Sequence, residues 1–380
     1  MGILPAFGAT EMNLQLGETS ELFMLLAGMA YAVAFVVYTL DLVRSSRTVR
    51  ELEESLRKDE AKQLAGVAAG SVRASKAAGA RSGAATATLT AQAGDEPDAA
   101  ATPRTRHQNA QVDGQLVDDS MAYDRTAPRR GLARTAIALT ILAAAIHLAA
   151  VIMRAIAAGR VPWGNMYEFL TTGALVVATV YLVTLIFKDI RFMGAFISGI
   201  VVIMMCAATM GFPTPVQPLI PALQSPWLII HVSIAVMASS LFAITAAMSL
   251  LQLVQTRRQR SLAAGNRDRL PWMRLVPSAI SLENTAYRVN AVAFVLWTAT
   301  LILGAIWAEA AWGRYWGWDV KEVWTFIIWV VYAGYLHARA TRGWTGVPSA
   351  WLSLIGFACV VFNFTAVNII FPGFHSYAGV

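Results

Sequence analysis

Four tryptophans and a tyrosine fall within 13 residues of this chain, in the run Trp312-Gly-Arg-Tyr315-Trp316-Gly-Trp318-Asp319-Val-Lys321-Glu322-Val-Trp324. Rings at this density do one of two things. They mark the depth of a membrane interface, where Trp and Tyr collect, or they line a flat surface for a large planar ligand. An interfacial belt makes no use of glycines that let rings approach, nor of an interleaved Asp319, Lys321 and Glu322. A platform for a planar ligand accounts for the rings and the glycines together.

The chain has five histidines, and all but His107 lie in or beside apolar runs, where ionisable residues are costly and suspect of function. His231 follows Trp227 by four residues, about 6 Å along a helix. His375 stands in Pro372-Gly-Phe-His375-Ser-Tyr377, just past the last apolar run. Two imidazoles at the level of an aromatic platform are what ligation of a haem iron from its two faces requires; two unrelated interfacial histidines are the alternative. His337 is 13 residues beyond Trp324, hence about 20 Å deeper. It either ligates a second haem within the bundle or reaches the far interface beside Arg339. His147, in mid-helix, either pairs with His337 or is a core histidine, and His107 is solvated. Asn165 and Glu168 open a helix near the platform, as a helix cap or as part of the site. Arg154 can pair Glu168 or a haem propionate, and Asn363 can bond a neighbouring helix.

The elements that position these residues are membrane helices. Of 380 residues, 57% are apolar and 14% charged, against about 25% charged in a soluble domain. The apolar residues form runs long enough to cross a hydrocarbon core of about 30 Å. Eight spans are expected, over 21–43, 134–157, 168–187, 193–211, 227–254, 289–308, 324–341 and 348–371, in an all-α polytopic bundle. The net charge of +7 sits in clusters at span ends (Arg44 to Arg50, Arg129 to Arg134, Lys188 to Arg191, Arg257 to Arg260, Arg339 to Arg342) and so reports topology rather than nucleic-acid binding. These clusters fall on alternate connections, which the positive-inside rule makes cytoplasmic. The tryptophan segment and both termini are then extracytoplasmic, and no cleavable signal peptide is evident. Cys206 and Cys359 lie in separate spans without a CxxC partner, which points away from a disulfide framework or a thiol redox centre.

Three segments follow: residues 1–44 with the first span, a disordered cytoplasmic linker over 45–133, and a seven-helix membrane domain over 134–380 holding the tryptophan segment at 309–324. The linker is rich in Ala, Gly, Thr, Ser, Arg and Asp and lacks the large apolar side chains of a core. Its charged start, ELEESLRKDEAKQ, can prolong the first helix for a few turns.

The WGRYWGWDVKEVW run resembles the WWD signature of the haem-handling superfamily that includes the ResC/CcsA and CcmC/CcmF proteins. Pro162-Trp-Gly-Asn165-Met-Tyr167-Glu168, Tyr287-Arg288, Gly304 through Trp307-Ala-Glu, and Phe374-His375-Ser-Tyr377 are similar to the ResC/CcsA (CcsB) subfamily of system II cytochrome c biogenesis. Together these cover most of 134–380. The resemblance implies that His231 and His375 ligate haem b at the outer face beside Trp312, Tyr315, Trp316, Trp318, Asp319 and Trp324. It also implies that His337 belongs to a transmembrane haem site completed by a ResB-like membrane subunit. One departure is Val320, where the family has proline; it removes no ligand. The implied activity is a cytochrome c synthase of the cell membrane: haem is moved outward and joined to the CxxCH thiols of an apocytochrome c. A CcmC-like haem-delivery protein, a haem subunit of a quinol oxidoreductase and a non-catalytic scaffold are the alternatives. The quinol reading requires histidine pairs stacked through mid-membrane, and the scaffold leaves the tryptophans and histidines unused.

Overall fold

The computed structural model describes residues 13–79, 119–123, 130–219, 223–371 and 373–375. His107, Pro372, the tail from Ser376 and most of the expected linker lie outside them. All regular structure among the described residues is helical. The long helices are α1 (Leu14–Gly79), α2 (Gly131–Ala158), α3 (Met166–Phe187), α4 (Gly194–Cys206, prolonged by a π-turn over Ala207–Gly211), α5 (Pro226–Ala263), α6 (Ala279–Trp312), α7 (Val320–Arg342) and α8 (Val347–Phe364), with a short α9 (Ala366–Ile370) closing the bundle.

All eight expected spans are present as helices. Seven are apolar and long enough to cross a membrane, and the protein is a multi-pass membrane helix bundle. The eighth, α7, has 23 residues, about 34 Å of helix; Trp324, Trp329, Tyr332, Tyr335 and His337 make it more polar than the rest. Within the stretch expected as a linker, α1 runs on to Gly79 through residues rich in the helix formers Ala, Glu, Lys, Arg and Leu. The expected linker also contains an ordered contact. Met121 is buried and its carbonyl accepts the Asp189 N–H at 2.7 Å, while Asp119 accepts the Ser278 N–H at 2.8 Å at the start of α6.

Packing follows small-residue stripes. On α1, Met24, Ala27, Tyr31, Ala34 and Tyr38 are all but fully buried, at alternating spacings of three and four that define one seam of a helix. On α2 the facing stripe is Ala133, Ala136, Thr140, Ala143, His147 and Ala150. Alanines let the two backbones approach, as they must where lipid offers no hydrophobic drive for association. His147 occupies a position of that stripe, edge-on to the Tyr31 ring at 5.8 Å. This core holds α1 to α4 together. A second core joins α5 to α8 around Phe242, Trp297 and Tyr332, where Phe242 and Tyr332 stack at 3.8 Å.

Polar knots hold the bundle at both ends. At the basic end the Glu283 carboxylate accepts from Gln252 of α5, from Arg339 of α7 and from the Gly346 N–H before α8. At the tryptophan end the knot is centred on Glu168 of α3, which is wholly buried. Arg154 of α2 donates to it at 3.0 Å and Arg160 at 2.7 and 3.1 Å, and the Gly164 N–H adds a bond at 2.7 Å. Arg154 also binds the carbonyls of Thr214 and Pro215, so α2, α3 and the 212–219 segment meet at one carboxylate. Glu168→Ala leaves two guanidinium groups facing a void and is expected to destabilise the protein by about 3–5 kcal/mol. Thermal unfolding in detergent checks this, and removing Arg154 as well should recover part of the loss.

Candidate functional site

The tryptophan end opens into a cleft of about 110 Å³ on the seam between the two cores. One wall comes from the α2–α3 connection and the start of α3, with Trp163, Asn165, Met166 and Phe169; the other comes from α5 to α9. His231 and His375 both line it.

His231 stands on the second turn of α5, a helix opened by Pro226 at its first position, where proline's missing N–H costs nothing. Its Nδ1 lies 3.0 Å from the Thr300 carbonyl of α6. Because a carbonyl only accepts, the proton sits on Nδ1 and Nε2 keeps its lone pair. The ring stacks on Trp307 at 5.9 Å with 15° between planes. A Cβ added to Gly304 would lie 2.8 Å from His231 Cε1, so the glycine provides the space that the ring fills. Thr300, Gly304 and Trp307 recur at i, i+4 and i+7, one stripe of α6 built around this histidine.

His375 arrives from the tail. Its Nδ1 meets Asp319 Oδ2 at 2.5 Å, which again leaves Nε2 as the free nitrogen. Asp319 is the N-cap of α7 in a capping box with Glu322, whose carboxylate accepts the Asp319 and Gly317 N–H groups at 3.0 and 2.8 Å. Burial lowers the His375 pKa and the Lys321 charge lowers it further, against the hydrogen bond from Asp319, so the ring is neutral at neutral pH. Burial raises the Asp319 carboxyl, but the His375 contact and the backbone N–H groups of Val320 and His375 outweigh it and keep it below its ordinary value. Val320 occupies the first position of α7, where proline is also accommodated, so the exchange there leaves the capping box standing.

The two imidazoles share one neighbour. The buried Trp307 ring lies 5.9 Å from His231 and 5.5 Å from His375, and Trp312 packs on both His375 and Trp307, at 4.9 and 4.8 Å. His231, Trp307, Trp312 and His375, from three separate parts of the chain, thus form a single constellation of two histidines around an indole pair.

Other residues singled out from the sequence are placed differently. Asn165 lines the cleft and caps α3, accepting the Glu168 N–H at 2.9 Å. Glu168 stands behind it with its carboxylate committed to the two arginines. Trp316 and Trp318 pack edge-to-face at 6.0 Å; Trp318 is 79% exposed and Tyr315 63%, on the rim rather than the wall. Trp318 takes a φ of +59°, a left-handed turn rare for a bulky residue that reverses the chain just before Asp319. Trp324 packs on Phe362 of α8 at 4.3 Å. Asn363 bonds Thr325 on the cleft floor at 3.1 Å. His337 is on an exposed face of α7 and His147 is buried on α2.

A family model described as "Cytochrome C assembly protein" matches residues 163–375, more than half of the chain. Curated proteins called cytochrome c biogenesis protein CcsA are similar over 59% of it. That of Guillardia theta is 36% identical over 242 residues, covering 79% of its own length. Those of Synechococcus sp. (strain JA-2-3B'a(2-13)) and Synechocystis sp. (strain ATCC 27184 / PCC 6803 / Kazusa) are 32% identical, covering 79% and 82% of theirs. The chain belongs to the ResC/CcsA family of system II cytochrome c biogenesis. The matched segment starts at Trp163 and ends at His375, so it takes in both walls of the cleft and both histidines, and omits α1 and α2.

Gly304→Ala is expected to cost about 1–3 kcal/mol through overpacking. If the clash is with the His231 ring, the cost vanishes in a His231→Ala background; a thermal-unfolding cycle over the four proteins measures that coupling.

Proposed function

We propose that this protein, with a ResB-like membrane subunit, moves haem b to the extracytoplasmic face and holds it in the cleft for covalent attachment to the CxxCH thiols of apocytochromes c. The observation that carries this reading is the matched state of the two histidines. Each has Nδ1 tied to an acceptor, Thr300 O or Asp319 Oδ2, and each lines the same cleft with Nε2 uncommitted. Imidazole ligates iron through an unprotonated nitrogen, and an acceptor on the other nitrogen fixes its orientation and raises its basicity.

In this reading the rings of Trp307 and Trp312 support the imidazoles from behind, and the porphyrin lies against the aromatic wall of Trp163 and Phe169. The chain itself provides no reacting thiol. Each apocytochrome cysteine adds across a haem vinyl group, sulfur to one carbon and hydrogen to the other, with no change in oxidation state. The residues of this chain contribute orientation and the exclusion of oxidant. The basic clusters at the opposite end support an extracytoplasmic cleft by the positive-inside rule, and in this reading the membrane is the cell membrane. His337, on an exposed face of α7, is positioned for a second haem shared with the partner subunit rather than one enclosed in this bundle.

Co-expression with a ResB-like partner and an apocytochrome, in a host without its own assembly pathway, is expected to yield covalent cytochrome c, counted by haem stain after denaturing electrophoresis. His231→Ala or His375→Ala should abolish that yield, and added imidazole should restore part of it; unchanged yield in either variant sinks the ligand assignment. Asp319→Asn keeps the shape but weakens the acceptor, and should lower retained haem by about 10–100-fold. The neutral ligand form of His375 persists above its lowered pKa and is lost as pH falls further. Haem release from the outer site is therefore expected below pH 6.5, the ordinary histidine value, followed by the loss of the low-spin absorption spectrum.

A further inference from the structure

Lys321 lines both the cleft and a small adjoining pocket under the tail. It sits at the second position of α7, where the helix N-terminus adds positive potential to its own charge. Its Nζ has one polar contact, the neutral amide oxygen of Asn368 at 2.5 Å, and otherwise stands over the Phe364 ring at 5.4 Å. The nearby carboxylates have other work: Asp319 binds His375, and Glu322 takes the Gly317 and Asp319 N–H groups. Among the described residues, none forms an ion pair with Lys321. Lys321 is half-buried, and Asp319 is the charge that opposes it from beyond ion-pair distance. Its one hydrogen-bond acceptor is a neutral amide, so a ligand anion in the cleft would give this ammonium the direct ionic contact it lacks.

A second observation points the same way. The indole N–H of Trp163, on the facing wall of the cleft, is buried with no acceptor. The cleft thus carries an ammonium on α7 bonded only to a neutral amide and an indole N–H before α3 with no acceptor, set among apolar rings. We propose that Lys321 is the carboxylate anchor of the cleft: it binds an acid group at the edge of the planar ligand and so fixes which edge points inward. This rests on the haem reading above, where the acid groups are the propionates and the opposite, vinyl-bearing edge is the one that must face the incoming thiols. Lys321 is a positioning residue in this scheme; it touches neither the iron nor the vinyl carbons.

Titration of the purified full-length protein in nanodiscs with iron protoporphyrin IX and with its dimethyl ester tests the proposal. The wild type should prefer the diacid to the ester by about tenfold or more. Lys321→Met should lose that preference by weakening the diacid alone, with the low-spin bis-imidazole spectrum kept, and Lys321→Arg should restore it. Equal affinity of the wild type for diacid and ester overturns the anchor, whether or not Lys321→Met can be purified. So does a Lys321→Met protein that loses both ligands in equal measure or keeps the wild-type preference. A wild type that binds neither porphyrin overturns the haem reading itself.

Discussion

The Glu168 carboxylate is the contact on which the cleft depends. In hydrocarbon a polar group must find its partners inside the protein, and Glu168, wholly buried, finds Arg154, Arg160 and the Gly164 N–H. The return is geometric. Two arginines on one carboxylate pin the whole turn from Arg160 to Phe169, and that turn presents Trp163, Asn165, Met166 and Phe169 to the cleft. Arg154 reaches past Glu168 to the carbonyls of Thr214 and Pro215, so the same ions hold the segment that leads into α5 and His231. The knot sits behind the wall that carries function, where it can be rigid without occupying ligand space.

From that wall inward, the two histidines are held by unlike means to the same end. His231 is fixed by a helix, with a backbone carbonyl as acceptor and a glycine opposite. His375 comes from a tail with no helix to fix it, and its orientation is delegated to Asp319, itself fixed by the capping box at the start of α7. A histidine on a charged acceptor and one on a neutral carbonyl make the two sides of the cleft unlike.

The fold was legible because membrane burial imposes long apolar runs, and all eight runs fold as helices. The α1–α2 seam was not among the readings, although the spacing of Met24, Ala27, Tyr31, Ala34 and Tyr38 and the alanine stripe of α2 are patterns of one helix at a time. What could not be read was which stripe faces which ligand. Trp307 looks like any tryptophan near a helix end, and only the fold places it between His231 and His375. The density of rings over 312–324 drew attention to Trp318 and Tyr315, which lie on the rim, because composition reports how many rings there are and not where the chain turns. Glu168 was ambiguous for a related reason: a carboxylate three residues after Asn165 satisfies a capping pattern, while the arginines that claim it come from α2 and its loop. Within the stretch expected as a linker, α1 runs to Gly79 through good helix formers and one short segment, 119–123, docks on the ends of α3 and α6, and composition over a long window averages out both.

Charge at the start of α7 divides the labour of the site. Within four residues the chain places Asp319, Lys321 and Glu322, and a helix N-terminus favours the two carboxylates and disfavours the ammonium. Both carboxylates are used internally, one to orient a histidine and one to cap the helix that carries the first. Lys321 runs against the local preference, and neither capping nor packing requires a cation there: a leucine would cover Phe364 as well. The residue that is locally unfavourable is the one facing the cleft. Such local costs are usually tolerated where function demands them, which fits a start of α7 that orients His375 through Asp319 and turns its cation toward the cleft.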